Sequence, residues 1–131
     1  MVKRFLRAAA VLAATAFMLA AAPAHAHPAA PDTGVLHLQV TDPEGLIAEA
    51  VLVCPGGWFH PHGAQSCSQL AEAGGDIAAV PSGDGHCHLM YRPVTVTAHG
   101  HWNGAFRSFE ARFGNLCQAV QATGGKLFDL A

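Results

Sequence analysis

The chain has 131 residues, 51% of them hydrophobic, with seven Lys and Arg against nine Asp and Glu and a formal net charge of −2 at pH 7. That length suits one domain. The acidic balance, which deepens to −5 once the first 26 residues are removed, argues against nucleic acid or an anionic membrane surface as a partner.

The first 26 residues read as an export signal. Lys3, Arg4 and Arg7 precede an apolar run from Ala8 to Ala22 that stops at Pro23, and Ala24-His25-Ala26 offers the small-x-small cleavage pattern. The run is short for a membrane span, which needs about 20 apolar residues. Cleavage after Ala26 is expected, with Ala24 the neighbouring alternative. Removing 26 of 131 residues leaves 105. Four basic residues then remain (Arg92, Arg107, Arg112, Lys126) against nine acidic ones, a net charge of −5. The mature chain is expected to be secreted and free of the membrane. Residues 27–33, rich in Pro and Ala, read as a flexible lead-in, and residues 34–131 as the folded domain.

Leu36, Leu38 and Val40 alternate with His37, Gln39 and Thr41, which predicts a half-buried strand. Asp42-Pro43-Glu44-Gly45 reads as a turn, and Ala50 to Cys54 as a second strand. A loop containing Pro55, Gly56, Gly57, Pro61 and Gly63 follows. Ser66 is placed to cap a short helix from Cys67 to Ala73, which Gly74-Gly75 ends. Ser82-Gly83-Asp84-Gly85 reads as a flexible approach to Cys87-His88-Leu89-Met90-Tyr91-Arg92-Pro93. Asn103-Gly104 is a strong two-residue hairpin signal. With those two residues at the tip, Val94 faces Phe113, Val96 faces Ala111 and Ala98 faces Phe109, while Thr95 faces Arg112 and Thr97 faces Glu110. One face is apolar and the other polar, so the register supports itself. Leu116 to Ala122 reads as a second helix and Lys126 to Leu130 as a last strand. The expected fold is α+β, an antiparallel sheet with two short helices on it.

Cys54, Cys67, Cys87 and Cys117 all fall in the mature part. An even count in a small exported domain reads as two disulfides. Zinc is the competing use, but it favours closely spaced cysteine pairs, and none occur here. Continued past the strand ends, the hairpin register sets Cys117 opposite residue 90, near Cys87. Cys87–Cys117 is therefore the favoured bridge of three possible pairings, leaving Cys54–Cys67.

Leu89 and Met90 are apolar residues pinned between a cysteine and a proline. Apolar residues near a strand start are commonly core; on an exposed turn their natural use is insertion into another protein's pocket. The ordered set Leu36-His37-Leu38-Gln39-Val40, Leu52-Val53-Cys54-Pro55, His60-Pro61, Cys67-Ser68-Gln69-Leu70-Ala71 and Gly74-Gly75-Asp76 continues with Cys87-x-x-x-Tyr91-x-Pro93-Val94-Thr95-Val96, Gly100-His101-Trp102-Asn103-Gly104 and Phe113-x-Asn115-x-Cys117. This set resembles the Streptomyces subtilisin inhibitor family of secreted serine-protease inhibitors, over nearly all of the mature domain. The resemblance implies a five-stranded antiparallel sheet with two helices, bridges Cys54–Cys67 and Cys87–Cys117, and a reactive bond Leu89-Met90. It implies a protease-contacting loop of His86, Cys87, His88, Tyr91 and Arg92, a subtilisin-like serine protease as partner, no enzymatic activity and no cofactor. Arg92 stands where the family often has Asp or Asn, and His88 where it often has Pro or Thr. The family also implies a homodimer packed through its sheet, weakened here by the polar His37 and Gln39.

The alternative reading is a histidine-rich exported metal-binding protein. Eight histidines survive removal of the first 26 residues, among them His60-x-His62, His86-x-His88 and His99-x-His101. On a strand, residues two apart share a face, so His99 and His101 are candidates to share a metal. A hydrolase built on Ser82, Asp84 and His86 is a third and weaker reading, since triads are set by geometry rather than by closeness in sequence.

Overall fold

The structure is a computed structural model that describes residues 16, 18–24 and 29–131. The charged start of the expected export signal and the bond after Ala26 lie outside the described residues. Among those residues no helix is long and apolar enough to cross a membrane.

Four antiparallel strands form one sheet: β1 (Gly34–Asp42), β2 (Gly45–Cys54), β3 (Val94–Trp102) and β4 (Ala105–Phe113), in spatial order β2-β1-β3-β4. Two helices accompany it, α1 (Gly63–Glu72) and α2 (Leu116–Ala122), with a short 3-10 turn at Ile77–Ala79. Period-two alternation sends Leu36, Leu38 and Val40 of β1 and Val94, Val96 and Ala98 of β3 to one face, where all six are buried. Leu52, Leu70, Ile77, Val80, Ala119, Leu127 and Phe128 complete the core against that face. Trp102 closes one end of it, and a side chain at Gly75 would collide with the indole ring.

The expected fifth strand is absent among the described residues, so the sheet has four strands rather than five; the α+β class stands. Residues 126–128 form a turn instead. Gly124 and Gly125, at φ 98° and 80°, redirect the chain, and Leu127 and Phe128 are both buried. A strand cannot place two consecutive side chains on one core-facing side, whereas a turn tucked under the sheet can. Phe128 packs against Phe109 with ring centroids 6.3 Å apart.

Two element boundaries also differ from expectation. β2 starts at Gly45 rather than Ala50, because Asp42 Oδ1 accepts from the Glu44 and Gly45 backbone N–H groups (2.8 and 3.0 Å) and makes the turn tight enough for pairing to begin at once. α1 starts at Gly63 rather than Cys67, so Ser66 is buried within the helix instead of capping it. Gly74 and Gly75 do end it, with Gly75 N–H returning to the Leu70 carbonyl at 2.8 Å.

The β3–β4 hairpin has the expected register at every pair named above. Its tip, Asn103-Gly104, has φ of 48° and 80°, the two positive values that the favoured two-residue turn requires. This hairpin sets the geometry of the functional region. It brings the segment before Val94 beside the segment after Phe113.

Candidate functional site

Residues 81–93 contain no helix or strand, yet they are tied to the body at several points. Gly83 N–H donates to the Gln121 carbonyl at 2.7 Å and Gly85 N–H to Gln121 Oε1 at 2.9 Å. The glycine-rich approach is thus stitched to α2 rather than free: a side chain at Gly83 or Gly85 would collide with Gln121. Cys87 is bridged to Cys117 on α2, with Cα atoms 5.6 Å apart, and Cys54 is bridged to Cys67 at the far end of β2. Arg92 N–H donates to the Gly114 carbonyl at 2.8 Å, fixing the downstream side.

Between these anchors the chain presents Leu89, Met90 and Tyr91 outward, with 88%, 61% and 73% of their surfaces exposed. The backbone beneath is held from inside. Asn115 is buried, and its Nδ2 donates to both the His88 and the Met90 carbonyl at 3.0 Å. Its Oδ1 accepts from Gln118 N–H at 2.9 Å, so the same side chain caps α2. One residue therefore couples the helix start to both carbonyls that flank Leu89. His86 and His88 are exposed on the same loop, and Met90 N–H donates to His88 Nδ1 at 3.3 Å. A cleft of ≈ 600 Å³ runs beside the loop, lined by Asp42, Glu44, Ile47, His88, Met90 and Arg92 among others.

Sequence reasoning missed Asn115, Gly114 and Gln121 as supports. Asn115 carries one local signal, an Asn immediately before an apolar helical stretch and two residues from the loop-bridging Cys117.

Among the described residues, the other histidines are engaged elsewhere. His99 stacks on His37 across the β1–β3 pair, with centroids 5.5 Å apart, and His101 meets Phe106 edge-on at 5.8 Å. His60 Nε2 lies 2.8 Å from the Leu127 carbonyl, while its Nδ1 accepts from His62 N–H at 2.9 Å. Burial lowers the His60 pKa, with the neighbouring His62 adding to the effect and the Leu127 carbonyl and Asp129 opposing it. His62 Nε2 is 3.0 Å from Asp129 Oδ2. No group of three or more His, Cys, Asp or Glu side chains suited to a metal occurs among the described residues. Ser82, Asp84 and His86 are all exposed on the loop.

A disulfide-stapled α+β domain that projects a tethered, outward-facing apolar loop is the architecture of a binding protein. The chain belongs to the subtilisin inhibitor-like family, whose model matches residues 32–115. It is similar to a Streptomyces avermitilis protein named "Putative serine protease inhibitor", at 40% identity over 119 residues, 88% of this chain and 80% of that one. It is also similar to "Subtilisin inhibitor" of Streptomyces albogriseolus, at 36% identity over 87 residues, 66% of this chain and 59% of that one. Among solved structures, it shares its fold with Streptomyces caespitosus sermetstatin, solved in complex with Bacillus licheniformis subtilisin. That match has a TM-score of 0.57 and 22% identity, and covers 76% of this chain and 99% of the other.

Proposed function

We propose that this chain is a secreted inhibitor of subtilisin-like serine proteases, and not itself an enzyme, whose reactive bond is Leu89-Met90. Residues 1–26 act as the export signal, 27–33 as a lead-in and 34–131 as the inhibitory domain. His86, Cys87, His88, Tyr91 and Arg92 are the surrounding protease contacts. Family membership and the names of the relatives support the activity. The observation that carries the choice of bond is the clamp: Leu89 is highly exposed while the carbonyls on either side of it are held by one buried asparagine.

The physical reason is conformational entropy. A protease binds an extended segment and seats one side chain in its primary specificity pocket. A free peptide loses freedom on binding, and its cut ends diffuse apart. A segment already held by the Cys87–Cys117 bridge, Asn115 and the Arg92–Gly114 hydrogen bond loses less, which raises affinity. After cleavage, the anchors keep both ends together, so religation competes with release. Protease–inhibitor interfaces bury roughly 1,600 Å² in all, and a single buried anchor commonly dominates them. Leu89 is that anchor. The chain also forms a weak dimer through the sheet face around β1, which bears the polar His37 and Gln39.

Titration of the mature protein against subtilisin, chymotrypsin and trypsin tests this reading. Stoichiometric inhibition of subtilisin is the expected result. Steady hydrolysis of the protein without inhibition would overturn it.

A further inference from the structure

We propose that His88 is a positioning residue for the Leu89-Met90 bond, and that proton uptake by His88 loosens the loop; this rests on the assignment of that bond as the reactive one. Asn115 holds the carbonyl oxygens on either side of Leu89. The nitrogen of the bond is held by a different group, since Met90 N–H donates to His88 Nδ1 at 3.3 Å. A ring nitrogen that accepts a hydrogen bond carries no proton, so the ring in this contact is neutral, with its hydrogen on Nε2. A protonated imidazole has N–H groups at both positions. Nδ1–H would then face Met90 N–H, the hydrogen bond would be lost and the ring would turn away. Among side chains histidine is the one whose charge commonly changes in mild acid, so pH is the probe of this contact.

Several titratable groups surround His88. His86 precedes it on the loop. Arg92, farther along the loop, and Asp42 and Glu44 from the β1–β2 turn line the same cleft as His88. The residues from the α2 side of that cleft, Asn115, Leu116 and Cys117, carry no charge.

Met90 nitrogen is also the leaving group of the cleavage. When the protease serine oxygen bonds to the Leu89 carbonyl carbon, the Leu89 C–Met90 N bond breaks and the serine proton ends on the Met90 nitrogen as a free amine. Religation reverses each step: the amine attacks the ester carbon, the C–N bond re-forms and the proton returns to the serine oxygen. Neutral His88 can accept from the amine as it accepts from the amide, keeping the nucleophile within the loop. Protonated His88 cannot.

The test uses the mature protein, His88→Gln, which keeps a neutral acceptor, and His88→Ala, which has none. Each is titrated against subtilisin from about pH 5 to about pH 8.5, the range that spans imidazole titration. The cut-to-intact ratio at Leu89-Met90 is read by mass spectrometry at each pH. Taking inhibition constants relative to His88→Gln cancels the protease's own titration. At the alkaline end both variants should inhibit less than the wild type, since His88 is itself placed among the protease contacts, and the cut fraction of His88→Ala should exceed that of His88→Gln by about fivefold, the effect of one ordinary hydrogen bond. At the acid end the wild type should weaken relative to His88→Gln by about fivefold, with a matching rise in the cut fraction. Parallel profiles for all three proteins, with the cut at Leu89-Met90, overturn the proposal and leave the reactive bond standing. A cut elsewhere, or no inhibition at any pH, overturns the assigned bond and this proposal with it.

Discussion

Leu89 and Asn115 act from opposite sides of the same backbone, one exposed and one buried. In its proposed role of filling the protease pocket, Leu89 suits the apolar specificity pockets of subtilisin-like and chymotrypsin-like enzymes. Trypsin's pocket holds a carboxylate that Leu leaves unpaired. The expected order is strong inhibition of subtilisin and weak inhibition of trypsin, and Leu89→Lys should move the preference toward trypsin while the far-UV circular dichroism stays the same. Tighter binding of trypsin than of subtilisin by the wild type would remove Leu89 from the pocket. Asn115→Ala deletes both carbonyl contacts and the α2 cap. Two hydrogen bonds of ordinary net strength give about 2 kcal/mol, or roughly 30-fold in the inhibition constant. The same change should lower stability by about 1 kcal/mol through the lost cap. Unfolding and inhibition measured together separate the two effects.

At the scale of elements, the two bridges do different work. Cys87–Cys117 ties the loop to α2, whereas Cys54–Cys67 ties β2 to α1 away from it. Replacing Cys87 and Cys117 by Ser should convert the inhibitor into a substrate. Replacing Cys54 and Cys67 should mainly reduce stability, by about 3 kcal/mol from the loop-closure entropy the bridge removes from the unfolded chain. A Cys87/Cys117 variant that stays intact and inhibitory after long incubation with subtilisin would contradict the role given to the tether. The segment after Cys54 supplies a pH effect of its own. His60 is held neutral by burial and by accepting from His62 N–H, and its pKa lies below the ordinary 6.5. Below that value the unfolded chain takes up the proton more readily than the folded one. The stability His60 contributes is therefore present at neutral pH and lost as pH falls from 6.5 toward the depressed folded value. Chemical denaturation should show a steeper loss of stability in mild acid for the wild type than for His60→Gln; equal slopes would exclude His60.

What the sequence disclosed follows the range over which each signal acts. The hairpin register was legible because Asn103-Gly104 fixes the tip and five opposed pairs then sort into an apolar and a polar face. The bounds of α2 were legible from a local apolar run. The first half of β2 was not, because Leu46 and Ile47 are both exposed and show no alternation; the preceding turn and the edge pairing make that strand. Lys126 to Leu130 resembled a strand because short apolar runs look alike whether they extend or turn inward. The clamp was hidden for a different reason: Asn115 reaches carbonyls 25 and 27 residues away, and Gln121 reaches Gly85 at a separation of 36. Such contacts exist only once the hairpin and the Cys87–Cys117 bridge have brought the segments together.

For the whole molecule, the core-facing side of the sheet is covered by the helices and the 126–128 turn. The other side carries Val35, the stacked His37–His99 pair, His101 and Phe106. A symmetric dimer formed there presents the same patch twice, with imidazoles at its centre and Glu49 and Glu110 a row away. The patch is more polar than an obligate interface prefers. Sedimentation equilibrium over a concentration series should give a reversible dimer weaker than an obligate one. A monomer at every concentration would refute the dimer.

The most direct measurement of the central claim is the fate of the Leu89-Met90 bond in contact with an active protease. Mature protein incubated with subtilisin and analysed by mass spectrometry should show one slow cut, between Leu89 and Met90, with the two pieces still joined through Cys87–Cys117 and inhibition retained. Rapid cleavage at that bond with loss of inhibition, or retained inhibition with the bond untouched and the cut elsewhere, would contradict it.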